Sequence, residues 1–177
     1  MSDGHWPAGG DVDRRQLAGL LREAGRAPDN WFPVERIPHY LEEIDRGVVR
    51  CIAGTEDGVL GAALLYSPFG PVRPLPDGYL VLQGLYIDEV AVTEEWRGRG
   101  WSGRLFARLR EVEGPEPDVY VDCAARNLAS VMMIRSAGYA HVLDYPDPER
   151  SEPAGPVRVS SLFRHTGRAG TVAEGER

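Results

Sequence analysis

The sequence predicts a mixed α/β domain, and three observations predict it. Apolar residues recur at helical spacing in several segments. Other runs, bounded by Gly, Pro and Asp, are apolar or alternating as strands are. The two kinds follow one another as helix, helix, three strands, helix, strand, helix, two strands, which describes an antiparallel meander feeding one parallel crossover.

Leu17, Leu20, Leu21 and Ala24 make one helical face, with Asp11 or Asp13 as the N-cap. Ile37, Tyr40, Leu41 and Ile44 make a second, and Pro38 suits its first turn, where a missing N–H costs little. Residues 48–53 read as a strand, Glu56-Asp57-Gly58 as a tight turn and residues 59–66 as the returning strand. A Pro-rich loop occupies 67–78, and 79–92 is a long strand with an irregularity expected near Gly84. Trp101, Leu105, Phe106, Leu109 and Val112 give an amphipathic helix, and 119–123 a short strand. Asn127 caps a helix that runs to about 137 and stops at Gly138. Strands at 141–145 and 157–163 close the domain, whose expected limits are 11–164, with flexible tails at 1–10 and 165–177.

The chain has 177 residues, 42% hydrophobic and 27% charged, the balance of a globular domain. Its net charge is -7, so a sequence-blind grip on nucleic acid is not expected, and an acidic surface favours a cationic ligand. Every one of the 20 basic residues is Arg, which excludes lysine Schiff bases, pyridoxal phosphate attachment and a Walker-A loop. Cys51 and Cys123 form no CxxC pair, and His39, His141 and His165 have no metal spacing, so neither a disulfide framework nor a metal site is expected. The first fifteen residues lack a signal-peptide pattern, and no apolar run of ~18 residues could cross a membrane. The expected location is the cytoplasm.

The chemistry concentrates in residues 86–104, where a strand, a short turn and a glycine-rich loop lead into a helix. Unpaired N–H groups at a helix start, the helix dipole and glycines that admit a ligand to the backbone together make an anion site. Arg97, Arg99 and Arg104 add fixed positive charge in an otherwise acidic chain. Gly98-Arg99-Gly100-Trp101-Ser102-Gly103 matches the dinucleotide pattern GxGxxG, with Asp122 where a ribose-binding acid belongs. Five residues separate Val92 from Gly98, however, and too few elements follow Asp122 to complete a doubly wound sheet.

A second pattern fits more of the chain. The apolar triplet Val90-Ala91-Val92 followed by Arg97-x-x-Gly100-x-Ser102 resembles the acyl-CoA signature of the GNAT superfamily of N-acyltransferases, R/Q-x-x-G-x-G/A. Asn127-Leu128-Ala129-Ser130 through Gly138-Tyr139 resembles its second motif, an Asn opening a helix that ends in Gly-aromatic. The resemblance covers about residues 12–164 and implies a mostly antiparallel sheet of about six to seven strands flanked by about four helices. It implies acetyl-CoA as co-substrate and no metal. Backbone groups of Val90, Ala91 and Val92 then pair with the pantetheine arm. The loop Arg97, Gly98, Arg99, Gly100, Trp101, Ser102 and Gly103 cradles the pyrophosphate, and Asn127 and Ser130 meet the pantetheine. Ser102 replaces the usual Gly or Ala. Ile134 stands where many members carry a tyrosine that protonates the departing thiolate.

Transfer to an amine requires that an ammonium with a pKa near ~10.4 first lose a proton, and a carboxylate is its natural acceptor. Glu89 and Asp88 on the long strand and Asp122 on the next are the candidates. Neighbours on a strand face opposite ways, so Asp88 and Glu89 share a cleft only if a bulge intervenes. Cys123, Met132 and Met133 are expected in the core, Trp101 to pack the helix start, and Trp31 and Phe32 to shape the acceptor wall. The expected activity is N-acetyl transfer to a primary amine of a small cationic molecule. Acetylation of a protein or peptide N-terminus or lysine, or a non-catalytic acyl-CoA-binding role, stands as the alternative. No nucleic acid or membrane partner is expected, and the oligomeric state is left open between monomer and homodimer.

Overall fold

The computed structural model describes residues 12–26, 34–71, 84–147 and 157–167. Helix α1 (Arg14–Gly25) begins where Asp13 accepts from the amides of Arg15 at 2.7 Å and Gln16 at 3.2 Å, so Asp13 is the cap. Helix α2 (Ile37–Asp45) carries Pro38 in its first turn. Strands β1 (Arg50–Glu56) and β2 (Val59–Ser67) form a hairpin whose two turn residues, Asp57 at φ 51 and Gly58 at φ 77, are both left-handed, as a two-residue connection requires. Strand β3 (Leu85–Val92) leads through a 3-10 turn at Glu94–Trp96 into α3 (Trp101–Glu113) and parallel β4 (Val119–Ala124). Helix α4 (Leu128–Ser136), β5 (Ala140–Asp147) and β6 (Arg158–His165) follow.

The described strands form one sheet in the order β1-β2-β3-β4-β6-β5, antiparallel throughout except for β3 and β4. One face is covered by α1 and α2, with Leu17, Leu21 and Ile37 packed against Ala53, Ala63, Leu65 and Ala91. The other is covered by α3 and α4, with Trp101, Leu105, Phe106 and Ile134 against Ile52, Leu64, Ile87 and Val121. Each fully buried Leu or Phe of these layers contributes roughly 1.5–3 kcal/mol. A third group, Tyr86, Tyr120, Tyr145 and Leu162, lies under neither helix pair.

Two expectations change. The irregularity of the third strand falls at Asp88, since Leu65 pairs with Glu89 and Tyr66 with Ile87. Gly84 instead precedes the strand, at φ 144, where a side chain would collide with the Asp118 carbonyl. Met132 is 71% exposed, because the one buried face of a nine-residue helix is taken by Ile134 with Val131 and Met133. Most of the expected Pro-rich loop, the start of the long strand, Trp31, Phe32 and most of both expected tails lie outside the described residues.

Candidate active site

The parallel ladder between β3 and β4 is short. It pairs Leu85 with Val119, Tyr86 with Tyr120 and Ile87 with Val121, and stops there. Beyond Ile87, β3 continues to Val92 paired only with β2, and β4 continues to Ala124 paired only with β6. The sheet therefore splits into an opening at its middle. The bulge at Asp88 explains the divergence, because an extra residue bends its strand.

The bulge also resets the faces of β3. Ile87 and Val90, three apart, both pack toward α3, so the two residues between them both face the other way. Asp88 and Glu89 thus share one face. Downstream, Thr93 donates its amide to Gly61 of β2 at 2.9 Å. By alternation the backbone groups of Ala91 also point to β2, whereas those of Val90 and Val92 point into the opening. The Val92 carbonyl accepts there from Arg97 Nε at 3.4 Å.

The glycine loop lies at the rim of this opening. Gly98 at φ 75 and Gly100 at φ 76 are left-handed, and a side chain on either would point into empty space. Gly100 is the N-cap of α3 and supplies no side-chain cap. The first helical bond runs from Arg104 N to the Gly100 carbonyl at 3.1 Å, so the amides before it have no partner within the helix. Below the loop, Trp96 and Trp101 stack at 4.7 Å, both buried. They press on Gly61 and Gly54 respectively, where any side chain would collide with the indoles. The Arg104 guanidinium lies 3.7 Å above the Trp101 ring and donates to the Arg99 carbonyl at 3.2 Å.

Across the opening, Asn127 is buried and its Oδ1 accepts from Ser130 N at 3.1 Å, closing the first turn of α4. Between α1, the loop and α4 lies a cavity of about 540 Å³. Its walls are Ala24, Val90, Val92, Trp96, Arg97, Gly98, Gly100, Trp101, Ser102, Asn127, Ala129, Ser130 and Met133. On the opposite face of the sheet, Asp88 accepts from Ser67 Oγ at 2.6 Å, and Asp122 accepts from the Tyr145 hydroxyl. Asp122 pairs with Leu162 and belongs to the same face as Tyr86 and Tyr145.

No family model matches this sequence, and no curated protein matches it. Solved structures do match by shape. The ribosomal-protein-S18-alanine N-acetyltransferase of Escherichia coli superposes with a TM-score of 0.69 at 13% identity, covering 96% of this chain and 97% of that one. An acetyltransferase of the GNAT family from Streptococcus agalactiae gives 0.66 at 16%, covering 96% and 98%. The yncA protein of Salmonella typhimurium, solved with its cofactor acetyl-CoA, gives 0.64 at 15%, covering 93% and 94%. The chain has the GNAT fold.

Within this GNAT fold, Val90, Val92, Arg97, Gly98, Gly100, Trp101, Ser102, Asn127 and Ser130 line one cavity. Three residues stand differently. Ala91 is fully buried against the α1–α2 layer, with its backbone turned to β2. Arg99 points away, 4.0 Å from Glu56. Gly103 is not part of the cavity wall. Trp101 is 1% exposed, with its ring wedged on Gly54, so it packs the helix start and supports the loop from beneath. Ile134 is likewise core, with no acid in its place.

Some site residues carried no local signal. Ala24 and Met133 reach the cavity only through the packing of α1 and α4. Ser67 and Tyr145 partner the candidate acids across strand pairings that only the topology defines. Both cysteines are buried, and burial pushes the Cys51 thiol up to about 12. No helix among the described residues is long and apolar enough to cross a membrane.

Proposed function

We propose that this chain is an N-acetyltransferase that moves an acetyl group from acetyl-CoA to a primary amine, carried by a small cationic molecule. The observation that carries the proposal is the cavity at the split between β3 and β4, which joins an open strand edge, an uncapped helix start and a buried Asn. Those are three complementary surfaces for one extended ligand. The amides at the start of α3, with Arg97 beside them, suit the pyrophosphate. The outward backbone groups of Val90 and Val92 suit the amides of the pantetheine arm, as an added strand would. Asn127 spends its carboxamide oxygen on the cap, so its NH2 is the end able to donate to that arm.

On the acceptor side, Asp88, Glu89 and Asp122 bring three carboxylates to one face of the sheet beside the split. They favour a cationic amine and offer it a base. Proton loss to a carboxylate exposes the nitrogen lone pair, which attacks the thioester carbonyl. A strand N–H at Val90 or Val92 stabilises the developing oxyanion. The leaving thiol has an ordinary pKa near ~8.5, so sulfur can depart as thiolate and take its proton from water. Aliphatic Ile134 cannot supply that proton, which makes the reaction slower without forbidding it.

A protein N-terminus is the second acceptor class, favoured by the shape match to a protein that acetylates ribosomal protein S18. A non-catalytic acyl-CoA-binding role is favoured only by Ile134. Thiol release from acetyl-CoA with a panel of diamines, aminoglycoside-like amines and basic peptides separates the three. Turnover on small amines supports the proposal, turnover on peptides alone replaces it with the second reading, and binding without turnover replaces it with the third.

A further inference from the structure

The three arginines around the glycine loop are held in three different ways. Arg99 lies 4.0 Å from Glu56, and Arg97 Nε donates to the Val92 carbonyl. Arg104 has no carboxylate partner among the described residues, although the chain carries 27 acidic ones. Its guanidinium lies 3.7 Å over the Trp101 ring, and Nη2 donates to the Arg99 carbonyl at 3.2 Å. We infer that Arg104 is a positioning residue for the glycine loop: laid on Trp101, it holds the Arg99 carbonyl and so fixes the direction of the Gly100 amide. Its bearing on binding rests on the acetyl-CoA reading above.

Arg104 stands four residues after the N-cap of α3. A cation so close to a helix start opposes the helix dipole, so the position does not serve the helix itself. What it serves is the loop, and it works from a rigid floor. Trp101 is 1% exposed, stacks on Trp96 at 4.7 Å and meets Gly54, where any side chain would collide with the indole. The loop above is the opposite. Gly98 and Gly100 are both left-handed, and glycine has more backbone freedom to lose than any other residue.

The Arg99 carbonyl and the Gly100 N–H belong to one planar peptide and point opposite ways. A donor that holds the oxygen on one side turns the N–H to the other. Gly100 lines the cavity and Arg104 does not, so the other side is the cavity. Guanidinium suits this task better than ammonium, because its planar fork can stack on an indole and donate sideways at once. The loop is thus set before a ligand arrives, which lowers the ordering cost of binding.

Two variants of the full chain test this. Arg104→Met keeps an alkyl cover on Trp101 and loses the fork, whereas Arg104→Lys keeps the charge and loses the fork. Amide relaxation measured by nuclear magnetic resonance on the ligand-free protein reads the loop directly. In both variants the order parameters of Gly98 and Gly100 should fall from about 0.85 to about 0.6, with the later turns of α3 unchanged. Calorimetry should show coenzyme A binding about tenfold weaker in both, with pantetheine binding unchanged. The KM for acetyl-CoA should rise by the same factor while kcat holds.

Loop amides as ordered in both variants as in wild type overturn the proposal. A lysine variant that binds coenzyme A as wild type does also overturns it, since charge alone then accounts for Arg104. Equal losses for coenzyme A and pantetheine, with a lower unfolding midpoint, mark a merely structural contact and do the same. A loosened loop in variants of a protein whose wild type binds no coenzyme A upholds the positioning role and strikes the acetyl-CoA reading instead.

Discussion

The two helices that open onto the cavity begin in opposite ways. Helix α4 closes its own first turn, with Asn127 Oδ1 on the Ser130 amide, as Asp13 closes α1. Helix α3 begins at a left-handed glycine with no side chain to close it. A helix start left uncapped inside a cavity keeps its positive end for a ligand, while a capped one offers only what the cap residue has to spare. Under the proposed function, the anionic part of acetyl-CoA would lie at α3 and its neutral arm at α4.

The largest expected effect is at Gly100. Gly100→Val places a branched side chain at φ 76, where it points into open space at the rim. Acetyl-CoA affinity should fall by ~100-fold or more, while the strain at a surface turn, of order 1–3 kcal/mol, leaves the protein folded. Calorimetry alongside circular dichroism reads both, and normal binding by a folded variant would remove the loop from the site.

Next comes the support beneath the loop. Trp101→Ala should cost roughly 3–5 kcal/mol in denaturant unfolding, as loss of a buried indole does. If stability held while binding vanished, Trp101 would be a ligand platform and the present placement wrong. Asn127→Ala tests the capped helix: about 1 kcal/mol of stability goes with the cap, and acetyl-CoA binding weakens about tenfold with the lost donor. A loss of stability with affinity intact would confine Asn127 to the cap.

The smallest effect belongs to α1, the helix capped by Asp13. Two backbone N–H groups, of Gln16 and then Arg15, hold the Asp13 carboxyl below its ordinary value of 3.8. Its folded-state pKa is lowered, so its stabilisation is present above the unfolded value and is lost as pH falls through the folded one. Asp13→Asn caps without titrating and should flatten the acid-side fall in stability below about pH 4. An acid limb identical to wild type would mean the cap carries no pH dependence.

Much of this was legible in the residues. The helices, the Asp57-Gly58 hairpin and the loop from Arg97 to Ser102 are local, because capping, turn geometry and periodicity are properties of neighbours in the chain. What the sequence could not show depends on pairing. The bulge falls at Asp88 because of how β2 meets β3, and that register decides that Asp88 and Glu89 share a face and that Ala91 turns away. Trp101 reads as packing the helix start, but that Gly54, from a strand 47 positions earlier, receives its ring depends on the packing of β1 against α3. The Tyr145–Asp122 contact depends on β6 lying between β4 and β5, an order no local pattern encodes.

The central claim is that main-chain amides at the start of α3 hold a pyrophosphate. It is met most directly by calorimetry of the wild-type protein with coenzyme A and with pantetheine, which shares the arm but lacks the phosphates. Binding of coenzyme A at least ~100-fold tighter than pantetheine is the expected result. Equal affinity for the two, or no heat with coenzyme A, would contradict it.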